Sequence, residues 1–338
     1  MMSPLTRDFV SGAIIQSGSA FAPWALTPKE EARNKTLALA NNLGCASTES
    51  KHVVECLRKI SAVDIVQASS RLYEWATAPV IAFKPVVEGE SANAFLPDTP
   101  ENLMRSGKSA KVPVLFSFTS GEGILFTGYI FNNSKLTREF TEGFEELGPT
   151  TFLYRDYKKY SDITKKIRSF YLGNENVSLK KALQIINIGT DILVVYPIHI
   201  LTDMHLKYAK TPVYQLMFDY RGARSYGDLY GDPLHNYGVC HCDELLYLFK
   251  TNLYGVYHES ELEMKAVKGI TKLWANFAKT GNPTPNYEFS PWDPIDMNNL
   301  TYYHIDNNFD GRTVKNALSD RISFWEDIAS NYDKRPLV

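Results

Sequence analysis

The chain is 338 residues long, enough for one large domain or two ordinary ones. Its 44% hydrophobic and 22% charged residues are globular values and exclude an intrinsically disordered polymer. Thirty-six basic against 38 acidic residues leave a net charge of -2, which supplies no field for nucleic acid or an anionic membrane, so neither is expected as a partner. Residues 1–6 show no basic region followed by an apolar one, so no signal peptide is expected there. The next element, residues 12–18 (Gly-Ala-Ile-Ile-Gln-Ser-Gly), reads as a short buried strand ending in a glycine turn. Residues 30–43 form a helix with an apolar side made by Ala32, Leu37, Leu39, Ala40 and Leu43, and 53–59 and 62–73 read as shorter helices. Residues 79–87 are extended and 101–105 helical. Residues 112–119 are a strand that runs into Ser120-Gly121-Glu122-Gly123.

The middle of the chain, residues 134–209, is mostly helical, and its clearest stripe (Ile192, Val195, Ile198, Leu201) holds Pro197, which is expected to kink it. The apolar run at 192–196 is far short of the roughly 18–20 residues that span a bilayer, so no transmembrane segment is expected. Residues 212–220 alternate as a strand. Residues 221–237, rich in Gly and Tyr, are too long for a plain connector. A helix starts at Asp243, a long helix covers 261–280 and ends at Gly281-Asn282-Pro283, and 300–305 is the last strand. Strands separated by helical crossings give an α/β fold around a largely parallel sheet, whose functional groups collect on loops beyond the carboxyl ends of the strands.

Two residues fit that rule. Glu122 stands between two glycines just past a strand, and His241 lies in a loop just ahead of Asp243-Glu244. An acid beside an imidazole fixes its tautomer and stabilises the imidazolium formed on proton transfer. Taken singly, each has a bland alternative: a solvated turn residue, and a histidine satisfied in the core. Cys240 and Cys242 flank His241 but fail the spacing of a zinc site, and at i and i+2 they bridge poorly, so no metal is expected. A bridge between Cys45 and Cys56 would close a short loop, worth about 2–3 kcal/mol. Asn34, Asn132, Asn176 and Asn299 open N-x-Ser/Thr tripeptides. Phe126, Tyr129, Phe131, Tyr226 and Tyr230 suit either an apolar substrate pocket or ordinary core packing.

Several blocks taken together resemble the carboxyl-terminal part of the type-B carboxylesterase family, in the α/β-hydrolase superfamily that includes the cholinesterases, with arthropod esterases nearest in pattern. They are Ala13-Ile14-Ile15-Gln16-Ser17-Gly18-Ser19-Ala20 followed by Pro23-Trp24-Ala25; Gly121-Glu122-Gly123; Gly238-Val239-Cys240-His241-Cys242-Asp243-Glu244-Leu245; and Leu273-Trp274-Ala275-Asn276-Phe277 through Gly281-Asn282-Pro283. They run in family order across nearly the whole chain. The resemblance implies a single partial domain over residues 1–338, an incomplete α/β-hydrolase fold whose amino-terminal strands are missing. It implies that Glu122 is the triad acid, His241 the general base and acid, Ser17 a hydroxyl supporting the triad acid, and Cys45–Cys56 a disulfide. It implies a small-molecule carboxylic ester as substrate, no cofactor, and, with the four sequons, passage through the secretory pathway as a glycoprotein. Cys242 stands where many relatives have glycine or another small residue, which leaves the path of that loop open.

Triads of this superfamily run serine, acid, histidine, with the serine in a G-x-S-x-G elbow between strand and helix. No such motif occurs in the sequence. Gly107-Lys108-Ser109-Ala110-Lys111 lacks the last glycine and follows a helix instead of preceding one, which makes Ser109 a poor nucleophile. The expectation is therefore a serine-type esterase of which this chain carries only the acid and the histidine, with little activity by itself and with residues 12–17 left as an unpaired apolar edge. The alternatives are a non-catalytic adhesion or binding module of the same fold, and a cysteine hydrolase built from Cys240 or Cys242 with His241.

Overall fold

In the computed structural model, residues 1–89, 91–173, 175–231, 233–252, 260–286, 288–296, 298 and 300–332 are described. Five strands, β1 (Ala13–Gln16), β2 (Val114–Thr119), β3 (Val213–Phe218), β4 (Thr301–Ile305) and β5 (Gly311–Lys315), form one sheet in the order β1-β2-β3-β4-β5. The first four are parallel, in register Ala13↔Val114, Val114↔Val213 and Leu216↔Tyr303, and β5 returns antiparallel to β4. β2 is buried along its whole length, as a central parallel strand covered on both faces must be. Its alternate side chains feed two cores: Val114, Phe116 and Phe118 join one cluster, Leu115 the other. The second core is completed by Ala266, Ile270, Leu273 and Phe277 on one stripe of the Glu261–Thr280 helix. That helix starts with Ser260 Oγ accepting from the Glu263 amide and stops at Gly281 in the left-handed conformation.

The first core rests on a helical run, Leu179–Ala209, in which π-helical turns at Asp191–Val195 and His205–Ala209 flank the α-helical Tyr196–Met204. Pro197 itself stands in the first turn of Tyr196–Met204, directly after the π turn at Asp191–Val195. Pro197 has no N–H for the carbonyl of Leu193, and the indole Nε1 of Trp24 donates to that oxygen at 2.9 Å instead. Asp191, the one charged residue between positions 182 and 202, is 1% exposed. It takes both Nε and Nη2 of Arg321 and the hydroxyl of Tyr171, and Trp325 Nε1 donates to that hydroxyl at 2.8 Å. By length and composition Leu179–Ala209 could cross a membrane, with a mean hydropathy of 1.6 over its most apolar 18 residues, and 83% of that stretch is buried inside this fold.

Other boundaries also differ. Residues 79–87 join no sheet. β4 is not the last strand, because β5 follows it. β5 (Gly-Arg-Thr-Val-Lys) is polar and partly exposed, so it carries no apolar run to read. A helix at Ser319–Tyr332 closes the described chain and buries Ile322, Trp325 and Ile328 against the first core. Cys45 and Cys56 are bonded, and Cys45 packs with Ala40 and Val53 in a small separate cluster. Among the described residues β1 is hydrogen-bonded only to β2.

Candidate active site

Three segments converge beyond the carboxyl ends of the parallel strands. The backbone of Ser17, one residue past β1, donates to Ser117 O at 2.7 Å and then turns into the left-handed region, with φ 52°. Glu122 follows β2, and its own turn holds it: Thr119 N donates to its Oε1 at 2.7 Å. His241 follows β3 at a distance in sequence, but Gly121 N donates to Val239 O at 2.9 Å and Gly121 bridges Cys240, which docks the two loops side by side. The glycines around Glu122 are needed for close approach. A Cβ on Gly121 would fall 2.8 Å from Val239 O, and one on Gly123 would fall 2.0 Å from Ile186 O.

The result is a chain of short hydrogen bonds. Ser17 Oγ donates to Glu122 Oε1 at 2.6 Å, and Glu122 Oε2 lies 2.6 Å from His241 Nδ1. An ionised carboxylate only accepts, so Nδ1 carries a proton and Nε2 is the basic nitrogen. Glu122 is 0% and the His241 side chain 27% exposed, which puts the acid inside and the imidazole at the rim. Burial pushes the imidazole pKa down, but the Glu122 charge, the Cys242 side chain and the hydrogen bond to Glu122 override it and hold it well above its usual 6.5.

The acid that orients the imidazole therefore comes from 119 positions upstream, and neither Asp243 nor Glu244 fills that place. Both lie beneath the turn, each 2% exposed. Burial raises Asp243 to about 6, against hydrogen bonds from Ser225, Tyr226 and Cys240. Burial and the neighbouring Glu122 charge raise Glu244 to about 7. Glu244 Oε1 accepts from Gln16 Nε2 at 2.8 Å, and Trp274 Nε1 donates to Gln16 Oε1 at 3.2 Å. Gln16 and Trp274 stood inside the family-like blocks, yet nothing in their spacing announced that they meet.

Both sulfurs beside His241 are free. Cys240 is fully buried, and burial drives its thiol pKa far up, so it is no nucleophile. Cys242 has φ 73°, a backbone conformation that glycine adopts without strain, which accounts physically for the small residue expected there. Ser109 precedes β2, whereas Glu122 follows it, so about six strand residues, roughly 20 Å, lie between them. The aromatic set divides: Phe126 and Phe131 are buried in the first core, while Tyr226 and Tyr230 stack at 5.8 Å, with Tyr230 42% exposed. Asn34, Asn132 and Asn176 are exposed, and Asn299 lies outside the described residues.

Residues 1–325 match the model of the carboxylesterase family. The chain belongs to that family. It is 28% identical to juvenile hormone esterase of Tribolium castaneum over 96% of its own length and 60% of that protein. It is 30% identical to esterase FE4 of Myzus persicae over 88% of this chain and 52% of that one. The crystal structure of juvenile hormone esterase from Manduca sexta superposes with a TM-score of 0.81 at 23% identity, covering 97% of this chain and 62% of the other, which shows a shared α/β-hydrolase-like fold. The chain thus spans about 60% or less of the length of these curated relatives.

Proposed function

We propose that this family member carries the acid–base half of a serine-type carboxylic ester hydrolase. The observation that supports it best is the Ser17–Glu122–His241 chain of hydrogen bonds, each 2.6 Å long. In this reading a serine hydroxyl from polypeptide outside these residues attacks the ester carbonyl, and His241 Nε2 takes its proton. The imidazolium, held by Glu122 through Nδ1–H, returns that proton to the leaving alcohol. Water then repeats the cycle on the acyl-enzyme and releases the acid. Ser17 keeps the Glu122 carboxylate aimed at the imidazole. The fold leaves room for such a partner segment. β1 has a free edge among the described residues, and beside it opens an apolar cavity of about 350 Å³ lined by Ile15, Trp24, Met104, Phe116 and Leu201. The larger cavity, about 1120 Å³ between the Glu261–Thr280 helix and the β4–β5 turn, contains neither Glu122 nor His241.

Without the elbow and its oxyanion donors, the loss of even one of which costs about 2.7–4 kcal/mol of barrier lowering, the 338-residue chain turns over little ester. The rival reading, an adhesion module that has shed catalysis, gives a fully buried acid joined to an imidazole no task. The disulfide and the exposed Asn34, Asn132 and Asn176 support passage through the secretory route. The test is hydrolysis of a chromogenic short-chain ester by the purified chain. The expected result is a rate near the buffer blank. Turnover that disappears in His241→Ala but survives in Ser109→Ala, Cys240→Ala and Cys242→Ala would overturn the account of the nucleophile.

A further inference from the structure

The turn that carries His241 is tied down by a carboxylate that the proton relay does not use. Asp243 Oδ2 accepts from Ser225 Oγ at 2.7 Å and from Cys240 N at 2.8 Å, and its Oδ1 accepts from Tyr226 N at 2.7 Å. Ser225 has no exposed surface, and while its hydroxyl donates to Asp243 it accepts from Gly227 N at 2.9 Å. The helical turn that follows, Gly227–Tyr230, lies on the Ile124–Phe131 helix. A Cβ on Gly128 would fall 2.6 Å from Gly231 Cα, and one on Gly227 would touch Cys240 Cβ at 3.4 Å. Asp243 therefore stands where residues 119–124, 225–231 and 238–244 meet, and two of these segments hold Glu122 and His241.

Keeping an acid there is costly, since burial alone raises its pKa. Arg221 offsets part of that cost through its charge, while its Nη1 and Nη2 donate to Gly222 O at 2.9 Å and to Asp228 at 2.8 Å. What only a carboxylate supplies at this point is two oxygens that accept three donors at once. An asparagine would turn its NH2 toward one of them.

We propose that Asp243 is a positioning residue: by joining Ser225 and Tyr226 to Cys240 it locks the turn that presses His241 Nδ1 against Glu122. The proposal rests on the reading of Glu122 and His241 as the proton relay, and its test is independent of turnover. The chain is labelled with 15N-histidine, His241 is assigned through His241→Ala, and the low-field Nδ1 proton bonded to Glu122 is followed, with circular dichroism as the check on folding. In Asp243→Asn that proton is expected to exchange with water about tenfold faster or to disappear, the effect of losing one charge-assisted hydrogen bond. Asp327→Asn, which removes a surface ion pair with Lys166 on the helix at Ser319–Tyr332, is expected to leave it unchanged. Where Asp243→Asn does not fold, Ser225→Ala, which deletes one of the three donors, is expected to speed the exchange severalfold. An unaltered proton in folded Asp243→Asn, or in Ser225→Ala where Asp243→Asn does not fold, overturns the proposal, as does equal loss in Asp327→Asn. Absence of the proton from the wild-type chain removes the Glu122–His241 pairing itself and overturns both readings.

Discussion

Replacing Glu122 by Gln keeps the side-chain shape and removes one charge from the centre of the site. Oε1 of the glutamate serves two donors, Ser17 Oγ at 2.6 Å and Thr119 N at 2.7 Å, while Oε2 serves His241 Nδ1 at 2.6 Å. Glutamine has only one oxygen to offer. With that oxygen on the side of the two donors, its NH2 faces the imidazole and donates to Nδ1, which moves the histidine proton to Nε2, the wrong tautomer for a base. The lost bond is charge-assisted and worth about 1.5–3 kcal/mol. Its pH window follows from the direction of the histidine shift. Because His241 titrates well above 6.5 in the folded chain, the stability it contributes is complete below pH 6.5 and is lost as pH rises through the folded value. The variant should therefore fall about 1.5–3 kcal/mol below wild type at pH 6 and approach it at high pH. Urea denaturation across a pH series measures the gap, and NMR titration of the imidazole should show its midpoint dropping toward 6.5. A gap that stays constant with pH, or an imidazole midpoint that does not move, would refute the reasoning.

Two further perturbations probe the supports of the site. Gly123→Ala sets a methyl 2.0 Å from Ile186 O and 3.0 Å from Thr190 N, backbone atoms of a packed helix, so a cost at the top of the ~1–3 kcal/mol overpacking range is expected. The imidazole midpoint should fall as Glu122 is pushed aside, and a wild-type denaturation midpoint would contradict this. Arg321→Met strands the buried Asp191 charge and should cost about 3–5 kcal/mol, read from the urea midpoint. Adding Asp191→Asn should recover part of the loss, and strict additivity of the two substitutions would show that they do not act as a pair.

Much of the architecture was legible in the linear chain because burial leaves a periodic imprint. Val114 to Thr119 reads as a central strand since both of its faces are covered, and the Glu261–Thr280 helix reads from its apolar stripe and its Gly281 stop. β5 and the helix at Ser319–Tyr332 left a weaker imprint, the first being polar and partly exposed and the second burying only Ile322, Trp325 and Ile328. Glu122 and His241 were legible as loop residues past strands and as members of family-like blocks. Their partners were not. The nearest acids in sequence, Asp243 and Glu244, were the wrong ones for the imidazole. Asp243 bonds Ser225, Tyr226 and Cys240, and Glu244 bonds Gln16, 228 positions away.

The division has a physical basis. Periodicity, turn chemistry and composition are local quantities, and by themselves they determined an α/β chain with a mostly parallel sheet, glycines bracketing an acid, and an imidazole on a loop. Whether that acid and that imidazole come within 2.6 Å depends on the order β1-β2-β3 and on its register, which brings residues more than 100 positions apart to one end of the sheet. Only the packed tertiary structure decides that distance, along with the burial that raises the pKa values of Asp243 and Glu244.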